Sequence, residues 1–362
     1  MTDSLSHLHF SSFQAARRLA RAPAREPEAR LHGHGFQLAL SLPDAQNKDQ
    51  GEKTQDSAKK LLNDLTDLWR TQVAEWDHQS LNDFVAHPSD ARLLQALAKS
   101  LEGYRCEMAL LSMPDRGVRK DGEGNYFVWR SYRFESAHHL PNVYSGHKCG
   151  RLHGHGFQAV IHIPLSSINQ EWNSDYQILD QAWAPLHATL HQRYLNEIPG
   201  LSNPTSEWLA VWIWGRLREV LPTLSWITVF ETPSCGGHYD GKTHRIWKDF
   251  SIDSATKEQG MTLGHTWTLR LNLEGSLHPT LGWAMDFAEV KREFEPLFRS
   301  LDHQPLNEVV GLETPNSAGL AQWIREHAHQ VLPQLSRVDA LDGCGGGASL
   351  DWGGGGIQVL AP

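Results

Sequence analysis
The chain has 362 residues, 40% hydrophobic and 21% charged, the make-up of an ordinary soluble globular protein with two or three domains. A net charge of −9 excludes a dedicated nucleic-acid binder, since no basic face offsets it. Four cysteines (Cys106, Cys149, Cys235, Cys344) are too few and scattered for a disulfide scaffold, no apolar run reaches the about 18 residues of a membrane span, and the opening MTDSLSHLHF lacks a signal peptide's charged and apolar regions, so the expected compartment is the cytoplasm.

The first expected elements are two strands, FQAARRL (Phe13 to Leu19) and RLHGHGFQ (Arg30 to Gln37). Asp56 is a candidate N-cap for a helix that runs towards DHQSLN (Asp77 to Asn82), and PSDARLLQAL (Pro88 to Leu97) reads as a second helix. Met113 to Asn125, MPDRGVRKDGEGN, reads as a linker. The order then returns. FESAHHL (Phe134 to Leu140) precedes a second, identical RLHGHGFQ (Arg151 to Gln158), and HGHGFQAVIHI alternates as a half-buried strand does. Asp180 is the next candidate N-cap; HQRYLN (His191 to Asn196), the helix PTSEWLAVWIWGRL (Pro204 to Leu217) and the hairpin SWITVFETPSCGGHY (Ser225 to Tyr239) follow. A polar stretch, Lys242 to Gln259, reads as a second linker. A degenerate third copy runs through TLGHTWTL from Thr262, a helix capped by Asp286, DHQPLN (Asp302 to Asn307) and SAGLAQWIREH. The glycine-rich GCGGGASLDWGGGG lacks the Lys-Ser/Thr of a phosphate loop and reads as a flexible hairpin loop.

Eight identical residues at an offset of 121 mark an internal repeat. The Leu-Asn pairs at 82, 196 and 307 are 114 and 111 residues apart. Three units therefore account for the chain, 1–124, 125–247 and 248–362, each ββααββ, which makes the fold class α+β. A sheet with two helices on one face leaves two open edges. Three such sheets joined edge to edge would close an antiparallel barrel of about twelve strands, an intrachain pseudo-trimer.

His153 and His155 stand two apart on a strand, so both rings leave the same face, and Gly154 leaves the other face uncrowded. His138 lies in the preceding strand, 15 residues before His153. Three histidines with an open fourth position form a catalytic zinc arrangement. The first unit keeps His32 and His34 but has Arg17 in place of the third ligand, and a guanidinium repels zinc. The third keeps only His265, with Leu263 and about Thr256 in the other places. Only the middle unit can hold the metal.

The run FESAHHL…GHKCGRLHGHGF, with Cys149 six residues before His155, resembles the 6-pyruvoyl-tetrahydropterin and 6-carboxy-tetrahydropterin synthases, which have the tunnelling fold. The likeness is strongest over residues 134–239. It implies Zn2+ held by His138, His153 and His155, a pterin triphosphate as substrate, and Cys149 as catalytic base. It also implies that Glu231 anchors the pterin ring, with Thr205, Glu207 and Thr232 lining the pocket. His147, Lys148 and Arg151 are expected near the triphosphate.

In that family an Asp-His pair from a neighbouring subunit serves the cysteine. The middle unit has His191-Gln192 there, while Asp77-His78 and Asp302-His303 are intact in the flanking units. Division of labour among fused repeats accounts for this, with Asp302-His303 the cleaner match. The first unit has Glu28 in the cysteine position and about Ser112 in the glutamate position; the third has lost the Cys, two ligands and the Glu. The expected activity is a lyase forming 6-carboxy-tetrahydropterin, of the queuosine-pathway type. Its alternatives are 6-pyruvoyl-tetrahydropterin formation and a non-catalytic pterin-binding role. Neither nucleic acid nor membrane is an expected partner, and a homodimer of pseudo-trimers is the expected assembly by analogy.

Overall fold
The computed structural model describes residues 3–20, 22, 24–44, 55–167 and 174–353. Its elements come in three rounds of ββααββ. The first is β1 (Ser4–Arg17), β2 (His32–Pro43), α1 (Gln55–Trp76), α2 (Asp90–Lys99), β3 (Glu107–Met113) and β4 (Arg116–Lys120). The second is β5 (Tyr126–His138), β6 (His153–Pro164), α3 (Ser174–Leu190), a two-residue β7 (Arg193–Tyr194), α4 (Ser206–Val220), β8 (Trp226–Thr232) and β9 (Cys235–Tyr239). The third is β10 (His244–Glu258), β11 (Met261–Glu274), α5 (Phe287–Leu301), α6 (Ser317–Ala328), β12 (Leu335–Asp342) and β13 (Gly346–Asp351).

The chain packs as two compact units that cut across these rounds. One comprises Ser4–Arg130 with Ile163–Ile178. The other comprises Asp3, Ser131–His162 and 179–353. In the first unit β1 to β4 pair antiparallel in chain order, and β4 pairs onward with the start of β5, from Arg116↔Arg130 to Lys120↔Tyr126. In the second, β6, β8, β9, β10, β11, β12 and β13 pair antiparallel in that order. Here the middle and third repeats meet edge to edge, from His244↔Tyr239 to Lys248↔Cys235.

Helices cover one face of each strand pair, and aromatic residues fill the space between. Phe13 stacks on Phe36 with centroids 4.8 Å apart under Trp76; Phe134 stacks on Phe157 at 5.4 Å under Trp183; Phe250 meets Phe294 at 4.7 Å. In α1, Leu65, Trp69, Val73 and Trp76 recur at helical spacing and all bury.

Several local expectations need correction. Both stretches read as linkers carry strands, β4 and β10. In β10, Ile246, Phe250 and Ile252 bury on one face while Arg245, Asp249, Ser251 and Asp253 lie on the other, and in β4 Val118 buries between Arg116 and Lys120, patterns that mean polarity hides. The glycine-rich stretch supplies β13 at Gly346–Asp351, and residues from 354 onward lie outside the described ones. Asp180 is no N-cap: it lies inside α3 and accepts a hydrogen bond from Tyr132 OH. The Asp56 side chain lies outside the described residues. Asp286 does cap α5, accepting from Ala288 N–H. Among the described residues, no helix is long and apolar enough to cross a membrane.

Candidate active site
His138 ends β5, and His153 and His155 open β6. Ring centroids lie 4.5 Å apart for His138–His153, 5.2 Å for His138–His155 and 5.0 Å for His153–His155. One nitrogen from each ring lies within 4.8 Å of the others, the one such group among the described residues. Gly154 allows the close strand approach beneath, since a Cβ there would stand 3.2 Å from the Ser136 carbonyl oxygen.

Backbone carbonyls set two of the rings. His138 Nδ1 donates to Pro204 O at 3.0 Å and His153 Nδ1 to Arg151 O at 2.7 Å. A neutral ring that donates from Nδ1 leaves a lone pair on Nε2, the form a metal needs. The Nε2 atoms of His138 and His155 are buried without a hydrogen-bond partner. Such atoms cost stability unless a ligand fills the place. Nitrogen donors converging on one point fit a divalent cation such as zinc. Burial above all pushes His138 down to about 4, which keeps it neutral.

Glu231 Oε1 lies 3.4 Å from His155 Nε2 without the alignment of a hydrogen bond. Burial pushes Glu231 up to about 7, with Lys148 opposing and Asp286 adding to the rise. Cys149 sits in a 3-10 turn, Lys148–Gly150. Burial and then the Glu231 carboxyl hold its thiol above the ordinary range, against the pull of Lys148. His147 is buried: its Nδ1 accepts from Cys149 N–H at 3.1 Å and its Nε2 lies 2.8 Å from Asp286 Oδ2.

Residues 280–286 of the third repeat wall one side of this site. Thr205 caps α4, accepting from Trp208 N–H, and donates its hydroxyl to Gly282 O at 2.6 Å. Glu207 accepts from Ala284 N–H at 3.3 Å, and burial pushes its carboxyl up to about 7. Asn142 and Asn203 donate to Thr280 O and Leu281 O, each at 2.6 Å. Thr205 and Glu207, expected to line a pterin pocket, thus spend these atoms on holding the wall. Thr232 ends β8 opposite Cys235, its hydroxyl 3.1 Å from Cys235 Sγ.

Each Asp-His pair binds the first strand of its own repeat. Asp302 accepts from Asp253 N–H at 2.9 Å, and His303 Nδ1 lies 2.8 Å from Asp302 Oδ2. Helix α5 runs about 24 Å from Asp286, beside His147, to Asp302, so the end of α5 in contact with the Cys149 turn is the Asp286 end. In the other compact unit Asp77 accepts from Gln14 N–H at 2.8 Å and pairs with His78 at 3.0 Å. In the middle repeat His191 Nδ1 accepts from Glu135 N–H at 3.1 Å. The next residue is left-handed in all three repeats: His78 at φ 59°, Gln192 at 55° and His303 at 57°. These positions share a hydrogen bond that brackets the first strand of their repeat, made by an aspartate in the flanking repeats and by the His191 ring in the middle one.

The flanking repeats fill their own sites. Arg17 stands opposite His32 in the β1–β2 register. Its Nη1 donates to Pro88 O at 3.0 Å and Asp90 Oδ1 at 2.6 Å, and Asp90 Oδ2 accepts from Ser112 at 2.5 Å and Tyr176 at 2.6 Å. Burial would raise the Asp90 carboxyl, but the Arg17 guanidinium and the two hydroxyls outweigh it and hold the group below its usual range. In the third repeat Thr256 faces Leu263 and bonds His265 Nε2 at 2.9 Å. Sequence reading put the anchoring glutamate of this repeat as lost. By the hairpin register its place holds Asp342, whose Oδ1 accepts from Cys344 and Gly346 N–H and so closes its own turn.

The profile of the 6-pyruvoyl tetrahydropterin synthase family matches residues 127–242 and again 241–351, together more than half of the chain. The chain belongs to this family. It is 31% identical over 121 residues to a 6-carboxy-5,6,7,8-tetrahydropterin synthase from Synechocystis, covering 32% of this chain and 92% of that relative. It is 32% identical over 92 residues to a dihydroneopterin monophosphate aldolase from Pyrococcus furiosus, covering 25% and 77%. Among solved structures, 6-pyruvoyl tetrahydropterin synthase from Caenorhabditis elegans aligns at 19% identity, covering 29% of this chain and 92% of that one, with a TM-score of 0.27. Membership makes the chain an enzyme of the lyase type in pterin chemistry, with two further tandem copies of the family unit recognised by profile and a first, more diverged one visible in the element order.

Two outcomes follow. His138→Ala is expected to abolish metal retention, measured by elemental analysis after dialysis, whereas a His32→Ala/His34→Ala double variant keeps the wild-type content. Asp90→Ala strands a buried guanidinium and is expected to cost about 3–5 kcal/mol in urea unfolding of its unit. Because the Asp90 carboxyl is depressed in the fold, its contribution is full above the usual carboxylate value of about 3.9 and fades as pH falls through the lowered one. The gap between wild type and variant should therefore shrink in acid.

Proposed function
We propose that the chain converts 7,8-dihydroneopterin triphosphate to 6-carboxy-5,6,7,8-tetrahydropterin, with loss of triphosphate and acetaldehyde, at one site per chain with zinc in the His138–His153–His155 group. The observation that carries this reading is the meeting of that group with Glu231, 3.4 Å from His155, beside the Cys149 turn. Identity to the Synechocystis enzyme supports the 6-carboxy branch.

The residue types suit the chemistry. A pterin ring presents an amide N–H beside an exocyclic amine, and a carboxylate such as Glu231 accepts both hydrogen bonds. Zinc, when bound, supplies a Lewis acid that acidifies C–H bonds next to a carbonyl. Cys149 takes the proton. Its buried thiol must first give up its own, so its exact placement against substrate matters.

The Pyrococcus relative favours a second reading, cleavage of the pterin side chain as an aldolase. Mass-spectrometric analysis of products after incubating zinc-loaded protein with 7,8-dihydroneopterin triphosphate separates the readings. The 6-carboxy product with acetaldehyde is expected. A 6-pyruvoyl product would move the chain to that branch, side-chain cleavage with the phosphates retained would favour the aldolase, and bound but unchanged pterin would make it a non-catalytic binder. Cys149→Ala is expected to lose turnover by about 10²-fold or more while still binding pterin.

A further inference from the structure
We propose that Asp286, supplied by the third repeat, is a positioning residue for Cys149 of the middle repeat and acts through His147. This deepens the reading of Cys149 as the proton acceptor and rests on it.

His147 heads the turn that carries Cys149, as its N-cap, and its side chain is 3% exposed. A backbone N–H only donates, so the Nδ1 that accepts from Cys149 carries no proton. The neutral ring then bears its proton on Nε2 and donates it to Asp286 Oδ2, 2.8 Å away. The other carboxylate oxygen is also used: Asp286 Oδ1 accepts from Ala288 N–H at 2.9 Å and caps α5. One carboxylate thereby ties the start of α5 to the backbone of the turn. Tyr144 and Trp283 flank the imidazole, with centroids at 5.1 and 6.1 Å.

The first repeat supplies an internal comparison. It keeps the same 3-10 turn, Pro27–Ala29, but Glu26 stands in the His147 position and makes no side-chain cap bond. Glu28 stands there in the Cys149 position. The repeat that has lost the cysteine has lost the tie as well. His147 cannot easily shuttle the thiol proton, because its one lone pair is already engaged by the Cys149 amide. Its part is to fix where the thiol points.

Asp286→Ser separates this role from folding. Serine caps helices well, so α5 keeps its start, but its hydroxyl is too short to reach His147. In the zinc-loaded full chain, kcat on 7,8-dihydroneopterin triphosphate is expected to fall by about 10²-fold, with KM changed much less. His147→Ala should match it, and the double variant should be no worse than either, since both remove one tie. Without substrate, alkylation by iodoacetamide, followed on the Cys149 peptide by mass spectrometry and taken at its high-pH plateau, should become several-fold faster in Asp286→Ser. An unchanged plateau overturns the proposal, as does a double variant whose losses multiply. If the wild type fails to turn over the triphosphate, the function reading falls, and the alkylation plateau still decides the positioning.

Discussion
The pairing of β9 with β10, from His244↔Tyr239 to Lys248↔Cys235, sets the third repeat against the middle one. Everything at the site that comes from outside the middle repeat depends on that seam. It delivers residues 280–286 to the helix start at Thr205 and Glu207, and it brings Asp286 to His147. A single ββααββ unit holds the histidines, the thiol and Glu231, but leaves the Cys149 turn and the α4 start without these partners. Fusing the repeats in one chain makes that supply permanent and lets each copy drift.

The drift follows chemistry. Where a metal ligand was replaced, the fold filled the space with groups that satisfy one another. Arg17 Nη1 reaches the Pro88 carbonyl, the counterpart of the Pro204 carbonyl that orients His138, and carries Asp90, Ser112 and Tyr176 with it. In the third repeat a hydroxyl on Thr256 caps the remaining His265. A buried charge left without a partner costs about 3–5 kcal/mol, so the retired sites hold an ion pair or a hydrogen-bonded plug.

Much of this was legible in the sequence, for physical reasons. The duplicated RLHGHGFQ and the recurring Leu-Asn pairs announce repeats, and a two-residue histidine spacing on a strand fixes a shared face. The order ββααββ and the three-histidine group follow from those signals. The strands β4 and β10 were hidden because polar residues outnumber the apolar ones along each, so composition read them as linkers. The tie between His147 and Asp286 spans 139 residues and exists only after two sheets join, so no local pattern encodes it. The DHxxLN motif has a structural task that its letters do not announce. Its aspartates spend an oxygen on a backbone N–H of their own repeat, a contact that His191 Nδ1 makes in the middle repeat.

The central claim is that one pterin site per chain works, built by the middle repeat with the third repeat's wall. Equilibrium titration of the zinc-loaded protein with 7,8-dihydroneopterin, read by calorimetry, tests it most directly. The account gives saturation at one pterin per chain, lost in Glu231→Ala. Saturation at two or three per chain, or binding that survives Glu231→Ala, would contradict it.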